Sequence, residues 1–175
     1  MRPIIAFDQL GEGSPIILVL GAFNTRSVGA PLAAALARKH TVINYDRRGR
    51  GESGDSAPYA VEREIEDLDM LVQHVGGAAA LFGFSSGAAL AFAAAHGLAI
   101  TKLVLFDLPL HVERPANPVD HAAALDALVR AGRRGDAVEY FQRQMVGIPE
   151  PMVVELRNAP FRPGIAGFVT RNVEA

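Results

Sequence analysis

Ala79-Ala80-Leu81-Phe82-Gly83-Phe84-Ser85-Ser86-Gly87-Ala88-Ala89-Leu90-Ala91 is the stretch on which the fold turns. Alanine favours helix, so its first five residues read as a strand from their flanks rather than from propensity. The residues from Ala88 onward read as an apolar helix. Between them stands Gly83-Phe84-Ser85-Ser86-Gly87, a G-x-S-x-G at a strand-to-helix junction. A serine on so sharp a turn must take a strained backbone conformation, and side chains two residues to either side would collide where strand meets helix. Both positions are glycine, and Ala88, Ala89 and Ala91 let the helix lie close to the sheet. The junction predicts Ser85 as a nucleophile presented at the end of a buried strand.

Similar strands recur on either side. Ile16-Ile17-Leu18-Val19-Leu20, Thr41-Val42-Ile43-Asn44-Tyr45-Asp46 and Lys102-Leu103-Val104-Leu105-Phe106-Asp107 are short apolar runs rich in β-branched and aromatic residues, the pattern of strands covered on both faces. Helical spacing separates them. After Pro58, residues Val61, Ile65, Leu68, Val72 and Val75 mark an apolar stripe, with Glu62, Arg63, Glu66, Asp67 and Asp69 on the opposite face. Pro58 suits the first turn of that helix and Gly76-Gly77 its stop. Alternating strands and helices predict an α/β fold, a mostly parallel sheet with helices on both faces. Beyond Asp107 the pattern changes: Pro109, Pro115 and Pro118 precede helical stretches at about 119–133, 136–146 and 150–158. No further buried strand is read there. The division expected is a core over 1–109 and a helical segment over 110–175.

Composition narrows the functions. The 175 residues carry 17 Lys plus Arg against 19 Asp plus Glu, a net charge of -2, so no basic field exists to hold nucleic acid or an anionic membrane. Half the residues, 50%, are hydrophobic and mean hydropathy is +0.18, which excludes global disorder. Cysteine is absent, closing thiolate nucleophiles, disulfides and thiolate zinc sites. The longest apolar runs fall short of a membrane span, and the first residues lack the apolar stretch of a secretion signal. A cytoplasmic location is the expectation, with a small-molecule substrate and neither nucleic acid nor membrane as partner.

Two further segments are candidates. Gly49-Arg50-Gly51-Glu52-Ser53-Gly54 matches the G-x-G-x-x-G spacing of dinucleotide sites, yet Asp55, Ser56 and Ala57 intervene before the following Pro58, and no acid ends a strand at the required distance. It reads instead as a tight glycine-rich turn with solvated arginines. No cofactor and no metal are expected. Gly21-Ala22-Phe23, ending the first apolar strand, could supply one of the two N–H donors an acyl-transfer oxyanion needs, the other coming from the residue after the nucleophile. Those donors would be Ala22 and Ser86.

Taken together, Leu18-Val19-Leu20-Gly21-Ala22-Phe23, Tyr45-Asp46-Arg47-Arg48-Gly49-Arg50-Gly51-Glu52-Ser53 and Gly83-Phe84-Ser85-Ser86-Gly87 resemble, in order and spacing, the α/β-hydrolase superfamily of cofactor-free serine hydrolases. The resemblance covers about residues 4 to 158, with the segment after Pro109 similar to a helical lid. It implies a nucleophilic Ser85, oxyanion donors at Ser86 and Ala22, and hydrolysis of an ester, lactone or related acyl bond. Serine rather than aspartate at that position argues against epoxide hydrolases and dehalogenases. The resemblance also implies a catalytic acid and a histidine after later strands, in the order Ser, Asp, His. The sequence does not supply them there: the chain reads as C-terminally short by two strands.

Five histidines within the chain are candidate substitutes. His40, His74 and His96 fall at the wrong ends of their helices, whereas His111 and His121 follow the strand ending at Asp107, on the correct side. A Ser85, His111, Asp107 arrangement would keep the order of the superfamily. The alternative is a non-catalytic hydrolase-like binding or assembly domain that retains the elbow as scaffold. Stopping early also leaves the strand ending at Asp107 as an apolar edge, which predicts a homodimer or larger homo-oligomer covering it.

Overall fold

The computed structural model describes residues 3–110 and 119–159, so His111 lies outside the described residues. The chain divides into two compact units, one of Met1–Ser56 with Ala60–His111, the other of Ala57–Tyr59 with Val112–Ala175.

The first unit holds strands β1 (Phe7–Leu10), β2 (Ser14–Val19), β3 (His40–Tyr45), β4 (Ala79–Phe84) and β5 (Ile100–Phe106), with helices α1 (Arg26–Leu36), α2 (Val61–His74) and α3 (Ser86–Ala94). Sheet order is β1-β3-β2-β4-β5. The pairs β2–β3, β2–β4 and β4–β5 are parallel, and β1 runs antiparallel to β3. This is the mostly parallel α/β architecture expected from the sequence. The central strands are continuous apolar runs because both faces are covered. Ile17, Val19, Ile43 and Leu81 pack with Leu68, Leu71 and Val72 of α2 and with Leu90, Ala91 and Ala94 of α3. The alternate residues Leu18 and Val42 pack with Ala33 of α1 on the other face, as a period of two requires.

Strand β1 goes unmarked by the sequence, and two expectations about α2 need correction. β1 has four residues, two of them the exposed Asp8 and Gln9. Its register on β3, Phe7 opposite Tyr45 through Leu10 opposite Val42, holds a strand that its own hydrophobicity would not mark. Pro58 lies outside α2, which begins at Val61 and ends before Gly76 and Gly77, at φ 106° and 89°. The buried face of α2 is Glu64, Asp67, Leu68, Leu71 and Val72, so Asp67 is inside rather than solvated and Val61 is exposed. The cause is a pair of arginines described below.

The second unit contains α4 (His121–Arg130), α5 (Arg134–Tyr140), a π-helical turn at Phe141–Met145, and α6 (Glu150–Arg157). Val129, Ala137, Val138 and Val153 are its buried apolar residues. Glu139 accepts hydrogen bonds from Arg157 Nε at 2.8 Å and Nη2 at 2.7 Å and pairs with Arg143 Nη2 at 2.9 Å. These bonds, that to Arg157 foremost, hold its carboxyl down at about 2. Among the described residues no helix is long and apolar enough to cross a membrane.

Candidate active site

Ser85 is the single residue between β4 and α3, at φ 53° and ψ -124°. A Cβ at Gly83 would lie 2.5 Å from Ala88 Cα. One at Gly87 would overlap the backbone oxygens of Val19 and Leu20. The glycines of the pentapeptide are therefore steric requirements of the turn. Ser85 occupies the N-cap position of α3, where a serine hydroxyl ordinarily accepts a hydrogen bond from the first turn. Here it makes no cap bond. The Ser85 N–H donates to Phe106 O of β5 at 2.9 Å, which ties the elbow to the neighbouring strand.

Among the described residues three non-glycine residues have positive φ: Phe23 at 60°, Ser85 at 53° and Asp107 at 55°. Each follows the carboxyl end of a strand, β2, β4 and β5 respectively, and such strain concentrates at functional sites. These ends adjoin because β2 and β4 are neighbours, Val19 opposite Gly83. A Cβ on Gly21 would lie 3.0 Å from Ser85 Cβ and 3.1 Å from Phe84 O, so the loop after β2 runs against the elbow. In that loop Asn24 N–H donates to Gly21 O at 3.3 Å, closing a turn with Phe23 at its positive-φ position. The structure thus brings Gly21, Ala22, Ser85, Ser86 and Phe106–Asp107 to one end of the sheet. The N–H groups of Ala22 and Ser86 donate no hydrogen bond among the described residues.

The arginines after β3 were expected in solvent and are buried. Arg47, Arg48 and Arg50 retain 6%, 3% and 8% exposure. Arg47 is gripped by Glu64 of α2, Nε to Oε2 at 2.6 Å and Nη2 to Oε1 at 2.5 Å. Its Nη1 reaches Leu20 O at 3.3 Å and Ser86 Oγ at 3.2 Å. Arg48 makes the same fork onto Asp67 at 2.7 and 2.8 Å and donates to Arg63 O at 2.5 Å. Burial pushes the Asp67 carboxyl up, against the opposing pull of Arg48. Arg50 Nη1 donates to Gly21 O at 2.7 Å. These residues were missed because charge was read as a mark of the surface. One signal could have found them: Glu64 and Asp67 extend the Leu68, Leu71 stripe at helical spacing, so acids occupy inward positions where only buried cations would balance them.

The glycine-rich turn is folded about a carboxylate of the chain itself. Asp46 Oδ1 accepts from Arg26 N–H at 2.7 Å and Oδ2 from Glu52 N–H at 3.0 Å, and the Arg26 guanidinium pairs with it. A Cβ on Gly51, at φ 52°, would overlap that carboxylate. The shallow hollow of about 310 Å³ beside it is lined by Asp8, Asp46 and Glu52 with Arg26, and three carboxylates against one guanidinium repel a pyrophosphate. No group of three or more His, Asp or Glu able to hold a metal ion occurs among the described residues.

His40 begins β3 and lies at the opposite end of the strand from Asp46. His74 Nε2 bonds Gln9 Oε1 and His96 Nδ1 bonds Phe92 O, both at 3.0 Å. His121 belongs to the second unit, where its Nδ1 shares a 3.0 Å hydrogen bond with the Tyr140 hydroxyl. Asp107 is exposed and adjoins the elbow through the Ser85–Phe106 bond. His111 is not among the described residues.

A parallel sheet with a strained serine between strand and helix, backed by a glycine loop from the adjacent strand, defines an α/β protein of the nucleophile-elbow type. The alpha/beta hydrolase family model matches residues 16–171, and the chain belongs to this family. An alpha/beta hydrolase from Sphaerobacter thermophilus is 52% identical with a TM-score of 0.88, over 95% of this chain and 66% of that one. A thermophilic esterase from Thermogutta terrifontis is 28% identical with a TM-score of 0.68, over 97% of this chain and 67% of that one. The polyketide synthase ThaQ of Burkholderia thailandensis is 37% identical over 87 residues, 49% of this chain and 4% of that protein. This chain therefore spans about two thirds of the length of these hydrolases.

Proposed function

We propose that the chain is a serine hydrolase acting on a carboxylic ester, lactone or related acyl bond, with Ser85 as nucleophile. The observation that carries this reading is the backbone of Ser85, φ 53° between two glycines that admit no side chain, with its hydroxyl withheld from capping α3. In the proposed reaction Ser85 Oγ bonds to the acyl carbon while the carbonyl π electrons move onto oxygen. The resulting oxyanion would lie against the N–H groups of Ala22 and Ser86, and the support for this is that neither N–H donates a hydrogen bond elsewhere among the described residues. Collapse expels the alcohol, which takes up the proton lost by Ser85, and water then hydrolyses the acyl-serine. The transfer needs a base, which the usual place in the superfamily's order does not supply in this chain, and His111 with Asp107 is the candidate pair for it. The esterase relative supports the substrate class.

A second reading has its own observation. Among the described residues no histidine bonds Ser85, and His121 is committed to Tyr140. On that reading the domain binds or assembles and does no chemistry. A fluorophosphonate reagent separates the two. The serine-hydrolase reading expects one adduct on Ser85 and loss of labelling by at least about 1000-fold in Ser85→Ala. A folded wild-type chain that acquires no adduct leaves the binding reading standing.

A further inference from the structure

We propose that Arg50 is a positioning residue that aims the Ala22 N–H of the oxyanion site. The inference rests on the serine-hydrolase reading above and adds to it a residue that never touches substrate. The elbow forces glycine at position 21, since a Cβ there would stand 3.0 Å from Ser85 Cβ. Glycine, however, leaves the following peptide plane with little steric resistance to rotation. That plane carries both Gly21 C=O and Ala22 N–H, and in a planar trans peptide the two point in opposite directions. Whatever fixes the carbonyl therefore fixes the donor. Arg50 does so from the side, Nη1 to Gly21 O at 2.7 Å, as a charge-assisted bond shorter than the 3.3 Å bond from Asn24 N–H to the same oxygen. Withdrawing electrons from that carbonyl also strengthens the N–H as a donor. The guanidinium is itself buried, at 8% exposure, and one step back along the loop Arg47 holds Leu20 O in the same way.

The test compares wild type, Arg50→Met, Arg50→Lys and Ser85→Ala by the second-order rate of fluorophosphonate labelling, with the Ala22 amide followed by 15N–1H spectroscopy. Loss of an aimed donor predicts labelling slower by about 10- to 100-fold in Arg50→Met. Partial recovery is expected in Arg50→Lys, which restores a cationic donor, with the Ala22 resonance displaced in the methionine variant and nearer to wild type in the lysine variant. Should Arg50→Met not fold, Arg50→Gln replaces it. Equal labelling in wild type and the methionine variant overturns the proposal, as does equal impairment of the methionine and lysine variants. Absence of labelling in wild type and all variants refutes the nucleophile reading instead. The Ala22 resonance then still decides the positioning role, which falls if that resonance does not move.

Discussion

Ser85 sits where a non-glycine residue costs about 1 to 3 kcal/mol of backbone strain, and its neighbours show what keeps it there. Gly87 packs against the end of β2 so closely that a methyl group would overlap Val19 O and Leu20 O. Backbone cannot yield as a flexible side chain can. Gly87→Ala is therefore expected to destabilise the chain by about 2 to 3 kcal/mol, read as a fall in Tm, whereas Gly97→Ala, which meets nothing within 4 Å, should not. An unchanged Tm in Gly87→Ala would mean that α3 can retreat from the sheet. This part of the site was legible because its constraint is steric and local: two glycines around one serine declare it. The positive φ of Phe23 left no such mark, since the left-handed region disfavours a bulky aromatic residue, and an aspartate such as Asp107 tolerates that region without requiring it.

Helix α2 is docked by charge as well as by leucine. Arg48 and Asp67 are both buried and joined by two hydrogen bonds. Removing one partner of a buried pair costs about 3 to 5 kcal/mol because the other charge stays inside. Asp67→Ala should accordingly lose that much in urea unfolding, while Glu62→Ala on the exposed side should change stability by less than about 0.5 kcal/mol. Equal effects would remove the ion pair from the account of how α2 is held. The apolar strands were readable because each carries its own burial signal. Arg47 and Arg48 were not, since they are hydrophilic by type and are paired inside with acids 17 and 19 residues later, at Glu64 and Asp67. A long-range pairing of opposite charges has no local period to detect.

At the scale of the molecule, the sheet ends on β5. Its Val104 and Phe106 are 51% and 60% exposed, and β4 is its one ladder partner among the described residues. An apolar edge strand recruits a further strand unless charge or bulges prevent it; exposed Lys102 and the register shift at Ala79/Ala80 guard the start of β5, and Leu103–Phe106 carries neither. We propose that the 175-residue chain self-associates along β5. Sedimentation velocity should show a dimer or larger species, and Val104→Lys should shift it toward monomer. A monomer at all concentrations would count against pairing.

The hydrogen bond from Ser85 N–H to Phe106 O gives that edge a further meaning. The carbonyl that steadies the elbow belongs to the strand left open at the margin of the sheet. Any strand that docks on β5 and shifts Phe106 also perturbs Ser85. Linkage is reciprocal: if docking on β5 changes the affinity of Ser85 for a bound acyl analogue, occupancy of Ser85 changes the docking equilibrium by the same factor. Assembly and acyl recognition would then be two readings of one coupling energy.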